Sequence, residues 1–162
     1  MAVGQASRIF APCAGSYPGY NKPPVMIPGS VADNLVAPFS YEAAADDPPP
    51  ELSALRQRLD SLLLHDIDLD DDANVLSVGQ QQRLSLIRSL LVGPSFLLCD
   101  EPTSALDADS KDIVEAWLER VNMEHGIGVV LVTHLPFEPR QVQPRRYVMR
   151  GAAVTEVSGG FP

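Results

Sequence analysis

The stretch that decides the fold is Phe96-Leu97-Leu98-Cys99-Asp100-Glu101-Pro102. An uninterrupted apolar run that ends abruptly is typical of a strand buried on both faces of a parallel sheet. Pro102 has no backbone N–H to donate to a neighbouring strand, so it ends this one. A second apolar run, residues 129–133, follows after a helical pattern over residues 108–124. Strands that alternate with helices in this way predict an α/β fold with a largely parallel core sheet.

The remaining regions have weaker patterns. Residues 1–22 are rich in Gly, Ala, Ser and Pro, and we expect loop or disorder there. Residues 51–64 predict an amphipathic helix whose apolar stripe is Leu52, Leu55, Leu59, Leu62 and Leu63. Residues 80–91 predict another helix, which Gly93-Pro94 stops. Two short strands are expected around residues 147–149 and 154–156.

Composition excludes several classes of function. The net charge of −9 argues against a nucleic-acid partner, because nucleic-acid-binding surfaces are normally basic. No apolar run approaches the roughly 20 residues that a membrane span needs, and the first residues do not resemble a secretory signal. Cys13 and Cys99 are too few for a disulfide scaffold, and Cys99 fits a buried reduced thiol. A cytosolic chain that meets a membrane only through a partner is expected.

Two acids follow the first apolar run directly. Ligands of parallel sheets bind beyond the carboxyl ends of the strands, and Asp100 and Glu101 stand at such an end. Asp100 is suited to help hold Mg²⁺, and Glu101 to orient and deprotonate an attacking water as general base. Taken alone, the acid pair is explained equally well by a surface turn.

Three further features accompany the acid pair. Ser77 and Gly79 stand where a helix begins, and its free N–H groups and dipole favour an anion there, although Ser77 could be only an N-cap. Asp107 closes the run Ser104-Ala105-Leu106-Asp107. His134 closes the second apolar strand, and we expect it to stand level with Glu101. A lone strand-end histidine is more often structural.

Together these stretches resemble the motifs of the ABC ATPase family, in the family's order. Residues 76–80 resemble the LSGGQ signature, with Val78 in place of the first glycine of the pair. Residues 96–101 resemble the Walker B strand with its catalytic glutamate, Glu101. Residues 104–107 resemble the D-loop, which includes Asp107. His134 resembles the switch histidine that contacts the γ-phosphate.

The resemblance implies a fold and a set of domains. The fold would be a partial P-loop NTPase, with a RecA-like parallel sheet and an ABC-type helical subdomain. Residues 23–92 would hold the segment that follows the Q-loop and the helical subdomain with the signature. Residues 93–162 would form the C-terminal half of the RecA-like core.

The resemblance also implies a function. The chain would belong to the ATP-binding and ATP-hydrolysing subunit of an ABC transporter, with ATP and Mg²⁺ as cofactors. Its partners would be a membrane-spanning transporter subunit and a second ABC ATPase subunit, and it would lie on the cytosolic face of a membrane. Ser77, Gly79 and Gln80 would contact ATP held by the second subunit.

The sequence departs from the family pattern at the phosphates. The P-loop run G-x-x-x-x-G-K-[ST] does not occur, because neither Lys22 nor Lys111 follows Gly or precedes Ser or Thr. The Q-loop glutamine is also missing, with Lys22 near its expected place. Two explanations remain open: a fragment of an enzyme whose N-terminal third lies elsewhere, or a degenerate, non-catalytic subunit that lends its signature to an intact partner. In both, we expect the chain alone neither to bind nor to hydrolyse ATP appreciably.

Overall fold

A computed structural model of the chain describes residues 10–13, 24–40 and 47–158. The strands and helices in these ranges are β1 (Phe10–Cys13), α1 (Val31–Val36), α2 (Leu52–Asp60), α3 (Val78–Leu91), β2 (Phe96–Asp100), α4 (Ala108–His125), β3 (Gly128–Val132), β4 (Arg146–Arg150) and β5 (Ala153–Val157). A 3-10 turn at Ala37–Ser40 continues from α1. None of these helices is long and apolar enough to cross a membrane.

The strands form two sheets. The first has the order β1-β2-β3 with all pairs parallel, and in it Leu98 is paired with Val130 and Asp100 with Val132. The second is the antiparallel pair of β4 and β5. The predicted α/β fold with a parallel core sheet is therefore confirmed, and its two predicted parallel strands are neighbours. Their carboxyl ends consequently lie at the same edge.

The first strand is a correction to the expectation of loop or disorder over residues 1–22. Phe10–Cys13 pairs in parallel with β2 along the whole of its length. Pro12 has no N–H to donate to a ladder, and proline in sheets is largely confined to edge strands and bulges. Within the described sheet β1 lies at an edge, where only one side of the strand needs donors. The other residues of this region lie outside the described part.

The core joins the helices to the central strand β2. Its fully buried apolar side chains include Val31, Leu35, Leu55, Leu59, Leu62, Leu84, Leu97, Cys99 and Val114. Cys99 is thus buried, as expected. This cluster contains residues from both sides of the predicted domain boundary at residue 92. The core therefore does not mark that boundary, which stays a prediction.

The apolar stripe predicted over residues 51–64 is only partly correct. Leu55, Leu59 and Leu62 are fully buried, but Leu52 is 63% exposed and Leu63 is 44% exposed. The helix ends at Asp60, so Leu63 lies in a turn beyond it with a φ of 53°. The change of direction there turns Leu63 outward and buries Leu64 instead.

Caps define the two longer helices. Ser77 caps α3, which begins two residues earlier than expected. Asp107 caps α4, and Gly126 ends it in the left-handed conformation that favours glycine. The inward face of α4 carries four buried side chains, those of Val114, Trp117, Leu118 and Val121. Ser77 and Asp107 therefore lie immediately before the first residues of α3 and α4.

Candidate active site

The acid pair lies at the carboxyl edge of the parallel sheet. Asp100 is the last residue of β2, and the Glu101 N–H donates to the carbonyl of Val132 at 2.8 Å. Glu101 is only 6% exposed and has a φ of 49°, which is uncommon for a residue with a Cβ. An ordinary surface turn would not bury a carboxylate, so the alternative explanation of the acid pair does not hold.

The Glu101 carboxylate is bonded by the segment that follows β3. The His134 backbone N–H donates to Oε1 at 2.9 Å, and the His134 Nδ1 lies 2.6 Å from the same oxygen. The Thr133 hydroxyl donates to Oε2 at 3.4 Å. The His134 side chain is 71% exposed. The structure therefore brings Glu101 and His134 together, as the sequence predicted, and leaves the imidazole open to solvent.

The Glu101 carbonyl is held from other directions. The Gln82 Nε2 of α3 donates to it at 2.9 Å, and the Ser104 hydroxyl donates at 3.0 Å. Sequence reasoning missed Gln82 and Thr133. A signal for Gln82 was present, because three consecutive glutamines near the start of an apolar helix cannot all face solvent. For Thr133 the only signal was its position directly before the strand-end histidine.

Asp100 is half-buried beside Glu101. Burial raises the pKa of its carboxyl above the usual range, and the negative charge of Glu101 raises that pKa further. Proteins commonly hold Mg²⁺ through one or two carboxylates together with phosphate oxygens and waters. A strand-end carboxylate that is destabilised by burial and by a second negative charge fits such a cation, whose charge would offset both effects.

At the start of α3, Ser77 acts as the N-cap of the helix, which is the structural alternative to an anion site. The Ser77 hydroxyl accepts from the Gln80 N–H at 3.3 Å, and the Gln80 Oε1 accepts from the Ser77 N–H at 2.9 Å. This reciprocal pair is a capping box. None of the hydrogen bonds found in the described residues joins Ser77 or Gln80 to Glu101. An anion-binding role for this helix start stays a prediction.

Gly79 and Asp107 lie where α3 meets the segment that leads into α4. A Cβ on Gly79 would stand 3.1 Å from the Leu106 Cδ2, closer than most such contacts, so glycine allows this approach. The Asp107 carboxylate accepts from the Ser110 N–H at 2.9 Å and from its hydroxyl at 3.0 Å. These bonds hold the pKa of Asp107 below its usual value. Both residues thus have structural roles within this chain.

Comparisons with known proteins agree with the family resemblance. A family model described as "ABC transporter" matches residues 21–104. The methionine import ATP-binding protein MetN of Bifidobacterium longum (strain NCC 2705) is 37% identical over 131 residues, which are 78% of this chain and 31% of that protein. The protein of the same name from Salmonella enteritidis is also 37% identical, over 78% of this chain and 39% of its own. The chain spans about a third of the length of the curated relatives it matches.

Solved structures show the same fold. A metal-chelate type ABC transporter in an inward-facing conformation superposes with a TM-score of 0.66 and 25% identity, over 94% of this chain and 57% of the other. The ATP-binding cassette MJ0796, a dimer in a post-hydrolysis state bound to ADP and Pi, gives a TM-score of 0.55 and 29% identity. That match covers 77% of this chain and 52% of the other. The partial ATPase fold implied by the motifs is therefore confirmed.

Proposed function

Because the chain belongs to the ABC transporter family, we propose that it forms part of the ATP-hydrolysing subunit of an ABC transporter. The observation that carries this proposal is the buried Glu101 carboxylate at the sheet edge, bonded to His134 and adjacent to Asp100. A carboxylate held in place at this edge is suited to act on a ligand bound beyond the strands.

In this role Glu101 is the general base. Its Oε1 already receives two hydrogen bonds from His134, whereas Oε2 receives only the long one from Thr133. Oε2 is therefore the oxygen with capacity to take a proton from the attacking water. The exposed His134 imidazole would contact the γ-phosphate. Asp100 would help hold Mg²⁺, which when bound neutralises charge that develops on the phosphates.

The phosphates need a further polypeptide. A P-loop grips them with a lysine and a nest of backbone amides, and residues 1–162 contain no such run. We infer that this cradle comes from outside these residues, and that Ser77, Gly79 and Gln80 face ATP held by a second ATPase subunit. The subunit would work on the cytosolic face of a membrane, bound to a membrane-spanning partner. The dimeric cassette and the import ATPases found among the similar proteins support this arrangement.

The experiment is phosphate release from Mg-ATP by a fusion. An N-terminal segment that carries G-x-x-x-x-G-K-[ST], taken from an ATPase of this family, is joined ahead of this chain. Glu101→Gln should lower the hydrolysis rate about 10²–10⁴-fold, the usual loss for a general base. Glu124→Gln, at an exposed carboxylate on α4, is the matched control and should change the rate less than about twofold. Hydrolysis by Glu101→Gln within a few-fold of the parent would remove Glu101 from this role.

The second candidate is a non-catalytic subunit that lends its signature to an intact partner. The exposed, capped start of α3 at Ser77 favours it, because this surface can meet another chain. With a P-loop-bearing subunit added, Ser77→Arg should then block ATP-driven association, and Ser53→Arg on the exposed side of α2 should not. Glu101→Gln would leave hydrolysis unchanged in that case. The two candidates therefore give opposite results for Glu101→Gln.

A further inference from the structure

Glu101 has a backbone conformation that its neighbours must maintain. Its φ of 49° lies in the left-handed region, which residues with a Cβ seldom adopt unless the surrounding structure requires it. The N–H is bonded to the Val132 carbonyl of β3. The carbonyl receives the Gln82 amide and the Ser104 hydroxyl, and the Ser104 backbone N–H donates to it at 3.3 Å. Because Cβ and the carbonyl carbon are both attached to Cα, relaxation of this φ would move the carbonyl and the side chain together and withdraw the carboxylate from His134.

Gln82 is an unusual residue for its place in the core. Its side chain is 3% exposed, and Nε2 donates to Glu101. Oε1 is also buried, and it has no hydrogen-bond partner among the described residues. The amide cannot be reversed, because Oε1 would then face the Glu101 carbonyl. A buried acceptor left unpaired lowers stability, so an apolar side chain of the same size would serve packing better.

We infer that Gln82 is a positioning residue for Glu101. Its amide fixes the Glu101 carbonyl, and so keeps the carboxylate at the sheet edge against His134. Gln82 itself touches no substrate. The inference rests on the proposed function, because a fixed carboxylate matters for hydrolysis only if Glu101 is the base. Through this bond α3, whose N-cap is Ser77, also contacts Glu101 of the same chain.

Gln81 provides a matched control. It precedes Gln82 in α3, is also buried, and likewise donates from Nε2 to main-chain carbonyls. Those carbonyls belong to Ala73 and Asn74 in the loop before α3, at 3.2 and 3.4 Å. The two glutamines differ in what they hold. Only Gln82 reaches the candidate active site.

The test is amide hydrogen exchange of the 162-residue chain, followed by NMR. Gln82→Met keeps the side-chain volume and removes the donor, so protection of the His134 amide should fall about tenfold relative to the parent. The Trp117 amide in α4 is the reference for global opening, and its protection should stay the same. Gln81→Met should leave the ratio of His134 to Trp117 unchanged. A merely structural role would lower protection at both amides together.

Ser104→Ala is the second variant, because it removes the other side-chain donor to the Glu101 carbonyl from an exposed position and does not depend on core packing. Its His134 protection should fall in the same direction by a smaller factor. In the fusion described above, Gln82→Met should lower the rate at saturating ATP about 10–100-fold, with KM within about twofold.

The outcomes separate the two hypotheses. A fusion that hydrolyses no ATP, with the His134 effect present in Gln82→Met, contradicts the proposed function and supports the positioning role. If Glu101→Gln lowers the hydrolysis rate of the fusion, but Gln82→Met and Gln81→Met change that rate equally, the result contradicts the positioning role alone. Unchanged His134 exchange in both Gln82→Met and Ser104→Ala overturns the inference, whatever the fusion does.

Discussion

The polar groups of Glu101 are bonded to several different parts of the structure. Its N–H is bonded to β3, its carbonyl receives Gln82 of α3, and its carboxylate receives the backbone N–H of His134. The carboxylate of a residue that is only 6% exposed needs such partners, because an unpaired charge is costly to bury. The geometry of this one residue therefore reports on elements that are distant in sequence.

Asp107 allows a prediction at the same scale. Two hydrogen bonds from Ser110 hold its pKa low, so the ionised carboxylate stabilises the folded chain. The sign for a lowered pKa is that this stabilisation is fully present above the unfolded value of about 3.9 and is lost as the pH falls through the lower folded value. Asp107→Ala should lower the urea midpoint at pH 7, and the difference from the parent should shrink below about pH 4.

The control for Asp107 is Asp112→Ala, on the same helix. Within the part of the chain that the structure describes, the one ion pair found for its carboxylate is a long, exposed contact with Arg140, at 3.9 Å. Exposed ion pairs of this kind contribute little, so the midpoint should stay close to that of the parent. A difference between Asp107→Ala and the parent that stays constant from pH 7 to pH 3 would contradict the capping account.

The positions of polar residues at strand and helix ends could be predicted from the sequence. Glu101 and His134 were expected together because parallel strands end at the same edge, and their contact at 2.6 Å is confirmed. Gln82 and Thr133 were not expected as partners of Glu101. Their contacts depend on how α3 and the loop after β3 pack, which no local pattern contains.

At the scale of elements, the leucines of α2 differ in burial. Leu59 is fully buried in the core and Leu52 is 63% exposed. Leu59→Ala should lower the free energy of unfolding by about 2–5 kcal/mol, because it removes buried methyl groups and leaves a cavity. Leu52→Ala should change it by less than about 0.5 kcal/mol. Urea unfolding of the two variants and the parent measures both values.

These two leucines are matched in residue type, in substitution and in helix. Similar losses of stability for both variants would mean that α2 buries the whole of the stripe predicted from sequence. A small loss for Leu59→Ala would mean that α2 does not pack on the core. Either result contradicts the packing described for this helix.

Element type was easier to predict than element boundaries. The runs at β2 and β3 were recognisable because a continuous apolar run is typical of a parallel strand. The expected burial on both faces is not seen in the described residues, since Phe96 and Leu98 are exposed on one face of β2. The end of α2 could not be predicted, since the leucines continue past Asp60 and only the turn at Leu63 reverses their direction. Phe10–Cys13 was missed because its strand state depends on pairing with β2, not on its own pattern.

At the scale of the whole molecule, one face of the parallel sheet is apolar and exposed in the described residues. Its exposed side chains are Phe96, Leu98, Val130 and Val132. Parallel sheets are usually covered on both faces. The curated relatives are about three times as long as the matched region. Further polypeptide that covers this face and carries the phosphate cradle would satisfy both observations.

The family could be predicted from the order of its motifs, since each carries chemistry at a strand or helix end. The transported substrate could not be predicted, because no stretch of the sequence carries a pattern that identifies it. The absence of a P-loop run from residues 1–162 was equally visible in the sequence. The central claim of the proposal is therefore specific: these residues would supply the general base and the signature helix, and further polypeptide would hold the phosphates.

Calorimetric titration of the purified chain with Mg-ATP tests this claim most directly, with the P-loop fusion titrated in parallel. We expect the chain alone to bind no tighter than about millimolar, which corresponds to about −4 kcal/mol. Asp100, Glu101 and the net charge of −9 all repel triphosphate in the absence of a cradle. The fusion should bind at least about tenfold more tightly. Micromolar binding by the chain alone would show that residues 1–162 contain a phosphate cradle, and would contradict the account.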